Sequence, residues 1–201
     1  KLHQSSEDID LSPEQIDRYA KAHANYQGIK DNPNQEYTRL DGRKTTGKAG
    51  AASVRDADLY TATYDGDPGS NAVFQAMTRN IDQHPGEQQI IHLTYTPASR
   101  TVIAGLDAKY GKGSAVLYDG DLTGKAKDDA LKAFRSGKAR FFVASESGST
   151  GLNLQNATVT HHYDWPKTDA NKKQRDARNY RKGQDKDVNS YSYVPKTPQG
   201  F

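Results

Sequence analysis

Cysteine is absent from the 201 residues, so no disulfide and no thiolate metal site can form, which fits a reducing compartment. Methionine and tryptophan occur once each. Hydrophobic residues make up 33% of the chain and mean hydropathy is −0.97, below the usual range for a globular domain. A thin core is expected, with room for a further packing partner. No apolar run approaches the roughly 18 residues that a membrane span needs, and no signal-peptide pattern opens the chain. No membrane partner is expected, and an intracellular location, cytoplasmic or nuclear.

Charge of one sign is scarce overall but concentrated in one place. The net charge is +3, while the segment 167–186 alone carries eight basic residues against three acidic ones. A basic stripe on a near-neutral body points to a defined polyanion contact more than to nonspecific coating. Its bland reading is a solvated helix face whose charges pair with Asp176 and Asp185.

Patterning divides the chain at about residue 84. Ser12, Pro13 and Gln15 form a capping-box start for a helix over 12–25. From Gly28 to Ser70 the chain is rich in Gly, Asn, Asp and Thr without a sustained period, which predicts an irregular insertion with one short helix near 51–59. Helical spacing returns over 71–83. Beyond it, short apolar strands are expected at 89–93, 115–118, 141–144, 158–163 and 188–194. Helices over 98–110, 125–134 and 169–182 lie between most of them, the last stopped by Gly183. Strand–helix alternation predicts an α/β fold, a parallel sheet sandwiched by helices. Residues 1–84 are then a helical lead-in with an irregular insertion, and 85–201 the α/β lobe.

Chemistry concentrates between Phe141 and Gln184. A small-residue loop, Ser145 to Gly151, follows a strand and lets backbone N–H groups approach phosphate oxygens. On the helix expected after it, Gln174, Arg178 and Arg181 at i, i+4 and i+7 share one face. Two fork-shaped guanidinium groups beside such a loop suit a multiply charged anion, phosphate above all.

Gly148-Ser-Thr-Gly-Leu-Asn-Leu-Gln155, followed by Gln174-Arg-Asp-Ala-Arg-Asn-Tyr-Arg-Lys-Gly-Gln184, resembles motifs V and VI of superfamily-two helicases. The similar branch is that of SWI/SNF-like ATP-dependent translocases, viral and phage relatives included. Gln174, Arg178, Arg181, Gly183 and Gln184 fill every fixed place of the second motif. The resemblance covers about 85–194 well and implies a RecA-like C-terminal lobe with ATP held between two lobes. It implies that Arg178 and Arg181 are arginine fingers and that Gln174 orients phosphate. Gly151 and Asn153 are then near ATP, and Ser145, Ser147 and Gly148 face nucleic acid. Thr94, Gly120 and Thr123, after two other strands, are candidates for phosphate-backbone contacts. Partners implied are nucleic acid, double-stranded DNA first, and a first RecA-like lobe that supplies the magnesium ligands. Ser149 and Ala177 stand where the family often has glycine, and the order around Trp165 and Pro166 is scrambled.

Gly42 to Lys48 fits the glycine and lysine places of a P-loop, but Ala49 stands where a magnesium-binding Ser or Thr belongs. No Asp-Glu dipeptide occurs in the chain, so this chain alone is expected to hydrolyse little ATP. His161, His162 and Asp164 suggest a metal only weakly, because adjacent strand residues point to opposite faces. No metal site is assigned. A noncatalytic nucleic-acid-binding module and a self-contained P-loop enzyme using Lys48 are the rival readings.

Overall fold

The structure is a computed structural model and describes residues 1–94, 96–146, 151–165 and 168–198, the side chains at 48, 49, 53, 55 and 56 apart. Strand β1 (Leu2–Asp10) leads into helix α1 (Pro13–Asp31). The helix begins where the sequence predicts: the Ser12 side chain accepts the N–H of Gln15 at 3.2 Å, and the Gln15 side chain accepts that of Ser12 at 2.9 Å. It runs six residues further than the expected end at 25. The hairpin β2 (Tyr37–Thr38) and β3 (Lys44–Thr45) follows, then α2 (Gly47–Ser53), a π-helical turn at Val54–Asp58 and α3 (Leu59–Tyr64).

Most of the segment expected to be irregular is therefore helical. Its buried apolar positions Val54, Leu59 and Ala62 are spaced five and then three residues apart, and the wide π turn absorbs the extra residue. A search for a 3.6-residue period misses that register. Asp58, buried in the turn, anchors the hairpin by accepting Arg39 Nη2 at 2.8 Å and the N–H of Leu40 at 3.1 Å.

The remaining elements alternate: α4 (Ala72–Asp82), β4 (Gln89–Leu93), α5 (Pro97–Tyr110), β5 (Ala115–Tyr118), α6 (Gly124–Arg135), β6 (Phe141–Ser145), β7 (Val159–His162), α7 (Asp169–Asp176) and β8 (Val188–Lys196). Six strands form one sheet in the order β1-β8-β7-β4-β6-β5, every pair parallel. Both faces are covered, as the alternation predicts. On one, Ile91, Leu93, Phe141, Val143 and Tyr193 pack with Val73, Phe74, Met77 and Ile81 of α4 and Val102 and Leu106 of α5. On the other, Ile90, Phe142 and Ala144 pack with Ala130 and Phe134 of α6 and with Leu154. Each fully buried side chain of this size is worth about 1.5–3 kcal/mol, and burial on both faces makes the central strands near-continuous apolar runs.

Two differences bear on the site. β1, which no apolar alternation announces, pairs with β8 over Leu2↔Val188 to Asp10↔Lys196, and α4 belongs to the main core. Packing therefore does not divide at residue 84. The expected helix over 169–182 ends at Asp176.

Candidate functional site

At the carboxyl edge of the sheet, Leu93 of β4 lies in register with Ser145 of β6, and β7 flanks β4 on its other side. The chain leaves β4 for β5 and β6 on one side and then crosses to β7, which creates the crevice where open α/β sheets bind ligands. The three connections deliver Thr94, Glu146 and Asp164 immediately beyond the strand ends.

Asp164, 1% exposed, is the hub of this edge. Its Oδ2 accepts the hydroxyl of Tyr60 at 2.6 Å and the N–H of Thr94. Its Oδ1 accepts the Thr94 hydroxyl at 3.0 Å and Arg175 Nη2 at 3.1 Å. Arg175, 3% exposed, also donates from Nη1 to the carbonyl of Asp164 at 3.1 Å and from Nη2 to Glu146 at 2.9 Å. Sequence reasoning counts Arg175 only as one member of the basic stripe. The signal available was its place beside Asp176 on the face of α7 turned toward the sheet.

α7 starts at Thr168, whose side chain accepts the N–H of Asn171, and ends with Ala177 as its cap. A longer helix would need the carbonyls of residues 178 and 179 to accept the N–H groups of 182 and 183. Instead the Arg178 carbonyl accepts the N–H of Leu154 at 2.8 Å, and that of Asn179 accepts Gln184 Nε2 at 2.9 Å. The chain then turns, and Asn179 is buried against Thr160 of β7 at 3.1 Å. Gln174, Arg178 and Arg181 therefore do not share a helix face: Gln174 is exposed on α7, and the two arginines stand on the turns that follow.

Those arginines are nonetheless neighbours in charge. Burial first, and then the positive charge of Arg181, lowers the proton affinity of Arg178. Arg178 is half-buried, its Nε is enclosed without a hydrogen-bond partner, and Arg181 is exposed. Among the described residues neither forms an ion pair. Asp176, offered above as a surface partner, is engaged elsewhere: it accepts His162 Nε2 at 2.9 Å, the Ser190 hydroxyl at 2.7 Å and Lys172 Nζ at 3.1 Å. His162, kept neutral by burial, donates in that contact. The basic stripe is thus split, with Arg175 inside the protein and Lys172 compensated.

The remaining candidates fall along the same edge. Asn153 sits one residue before Leu154, whose N–H holds the Arg178 turn, and Gln155 Nε2 donates to the Lys182 carbonyl at 3.2 Å. Gly151, at φ +82°, lies two residues before Asn153. The loop bearing Gly151 and Asn153 and the turns bearing the arginines are therefore joined. Gly120 is exposed beyond β5, beside buried Asp119, and Thr123 caps α6 by accepting the N–H of Ala126 at 3.3 Å. Ser145 is buried as the last residue of β6. Thr94 has both N–H and hydroxyl engaged with Asp164. Ser147 and Gly148 lie outside the described residues.

His161 and His162 do point to opposite sides. His161 contacts Tyr193 at 2.8 Å and Gln89 at 2.6 Å, whereas His162 meets Asp176. Among the described residues no cluster of His, Asp and Glu could hold a metal ion, and no helix is long and apolar enough to cross a membrane. The P-loop-like stretch is crossed by β3, which pairs antiparallel with β2, so no parallel strand feeds it. The Lys48 side chain is outside the described ones.

Comparison with known proteins agrees with this fold. The family described as helicase conserved C-terminal domain matches residues 72–183, more than half of the chain. An uncharacterized ATP-dependent helicase of Bacillus subtilis (strain 168), YqhH, is 35% identical over 72 residues, which are 36% of this chain and 13% of that protein. This chain thus matches only a small part of that relative's length. Among solved structures, the Sulfolobus solfataricus SWI2/SNF2 ATPase C-terminal domain superposes with a TM-score of 0.67 at 15% identity, covering 97% of this chain and 80% of that one. The core of the same ATPase in complex with dsDNA gives 0.70 at 19% identity, over 96% of this chain and 41% of the other. At such identities the likeness is one of fold.

Proposed function

The chain belongs to the family of helicase conserved C-terminal domains, and on that premise we propose that it is the second lobe of a SWI/SNF-like, ATP-dependent nucleic-acid translocase. In this reading Arg178 and Arg181 reach the phosphates of an ATP held between two lobes. One observation carries it: two arginines near enough to feel each other's charge, neither paired with a carboxylate among the described residues, one with an enclosed and unpartnered Nε. An enclosed guanidinium nitrogen left without an acceptor is costly, and the oxygens of a triphosphate are acceptors of the right charge and fork geometry. Phosphoryl transfer is catalysed chiefly by positioning and charge stabilisation, which such a pair supplies. Gln174, Gly151 and Asn153 complete the ATP side.

Nucleic acid is proposed to run past the loops bearing Thr94, Gly120, Thr123, Ser145, Ser147 and Gly148. Because the side-chain hydroxyl of Thr94 is bound to Asp164, Thr94 shapes its loop in this scheme more than it reaches outward. Double-stranded DNA is the proposed track, since the S. solfataricus core of the same fold binds dsDNA. Because the chain contains no Asp-Glu dipeptide, the acidic groups that hold magnesium, and the P-loop, are assigned to a first lobe.

The test joins the chain to a first lobe and measures phosphate release with and without duplex DNA. Arg178→Lys and Arg181→Lys are each expected to lower kcat by about 10³-fold or more. Wild-type turnover in a variant overturns the assignment of that arginine, and the absence of any Arg181-dependent phosphate release with the first lobe present favours a noncatalytic binding module. Phosphate release by this chain alone, abolished by Lys48→Ala, overturns the two-lobe reading.

A further inference from the structure

The helical segment between β1 and α4 reaches the site through Tyr60. Tyr60, on α3, donates its hydroxyl to Asp164 at 2.6 Å, across 104 residues of sequence. Asp164 in turn holds Arg175 twice, through its carboxylate and its main-chain carbonyl. The carbonyl of Arg175 accepts the N–H of Arg178 at 3.1 Å and also the N–H of the helix cap, Ala177. A continuous chain of hydrogen bonds therefore runs from the insertion to the backbone of Arg178, and each link is buried or partly buried.

We propose that Tyr60 is a positioning residue for the anion site, setting the place of the Arg178 turn through Asp164 and Arg175. This rests on the reading of Arg178 and Arg181 as anion ligands. The physical ground is directional. Asp164 shares four donors between two oxygens, and Tyr60 is the donor that comes from outside the sheet edge and α7. Removing its hydroxyl leaves Oδ2 with the Thr94 N–H alone and Oδ1 with the Thr94 hydroxyl and Arg175, so the carboxylate turns about its last bond to suit the three donors that remain. Arg175, held by Oδ1 of the same group, follows it. The packing of the Tyr60 ring against Tyr64, with centroids 4.8 Å apart, keeps the hydroxyl aimed and ties it to the insertion.

The experiment uses the full chain, inorganic tripolyphosphate as probe, and the Nε–Hε resonances of arginine in nitrogen–proton correlation spectra. In the wild-type protein tripolyphosphate is expected to shift the Arg178 and Arg181 signals. In Tyr60→Phe the Arg178 signal is expected to move before any ligand is added, and tripolyphosphate to bind about 3- to 10-fold more weakly. Asp164→Asn is expected to produce the same displacement, and Tyr60→Phe in that background to add nothing further. A merely structural hydroxyl would lower the melting temperature without that non-additive pattern. If tripolyphosphate moves the arginine signals equally in wild type and Tyr60→Phe, the positioning role is overturned and the anion site stands. If it moves neither arginine in the wild-type protein, the anion site falls and this role with it.

Discussion

Arg175 and Arg178 lie three residues apart and have opposite environments. The guanidinium of Arg175 is shared between Asp164, Glu146 and Thr94, so its charge is spent inside the protein. That of Arg178 meets no carboxylate among the described residues and feels the like charge of Arg181. In the proposed function, stability and ligand binding are thereby separated within one turn of chain. Arg175→Met is expected to strand the Asp164 carboxylate, which is 1% exposed, and breaking a buried pair in this way costs about 3–5 kcal/mol. Urea unfolding of the variant measures it. Arg178→Met relieves repulsion and is expected to leave the urea midpoint unchanged or slightly raised, while abolishing the response to tripolyphosphate.

Among elements, α5 carries a prediction that helix propensity alone gets backwards. An Ala in place of Gly in a helix interior ordinarily stabilises by about 1 kcal/mol. A Cβ at Gly105, however, would lie 2.6 Å from Phe74 Cζ and 2.9 Å from Pro68 Cγ, inside a packed core. Gly105→Ala is expected to destabilise by about 1–3 kcal/mol, read as a lower thermal midpoint. The elements also differ in how far the sequence discloses them. β4 and β6 were legible because burial on both faces leaves mostly apolar side chains, and β5, at the sheet edge and partly buried, by its short apolar run. The start of α1 was legible because Ser12, Pro13 and Gln15 act locally. The end of α7 was hidden because Leu154 and Gln184, distant or out of the helical pattern, take the carbonyls that would have continued it. The helices between 47 and 64 were hidden by the π turn, and β1 by its polar residues. At the proposed site, motif spacing singled out Arg178 and Arg181 but assumed the wrong local shape; it weighed Asp164 only as a weak metal candidate and overlooked Tyr60. Their roles come from contacts that span 104 residues.

For the molecule as a whole, the polar groups beneath the apolar sheet set its response to acid. Burial lowers the pKa of His92, His161 and His162, that of His161 to about 3. Unfolded, each takes up a proton as pH falls through about 6.5, whereas the native protein does not. The stability they support is therefore complete above that pH and lost as pH falls from it toward their native values. Asp176 acts with the same sign at lower pH. Burial alone would raise its pKa, yet hydrogen bonds from His162 and Ser190 and the charge of Lys172 hold it well below the usual carboxylate range. The urea midpoint is expected to be level from pH 8 to 7 and to fall steadily between 6.5 and 4. His161→Gln is expected to make that fall shallower, whatever it does to stability at pH 8.

The pairing of β1 with β8 joins residues 186 positions apart at its first rung, and this orders events in time as well as in space. During synthesis β1 emerges before the other strands of its sheet, and its partner is the last of them to appear. An apolar β1 would spend that interval as a sticky, unpaired ribbon. Gln4, Ser5, Ser6, Glu7 and Asp8 make it soluble while it waits, and closing so long a loop adds only logarithmically to the entropic cost. The border strand is thus the final seam of the fold, and amide exchange along it is expected to report the first opening on the way back.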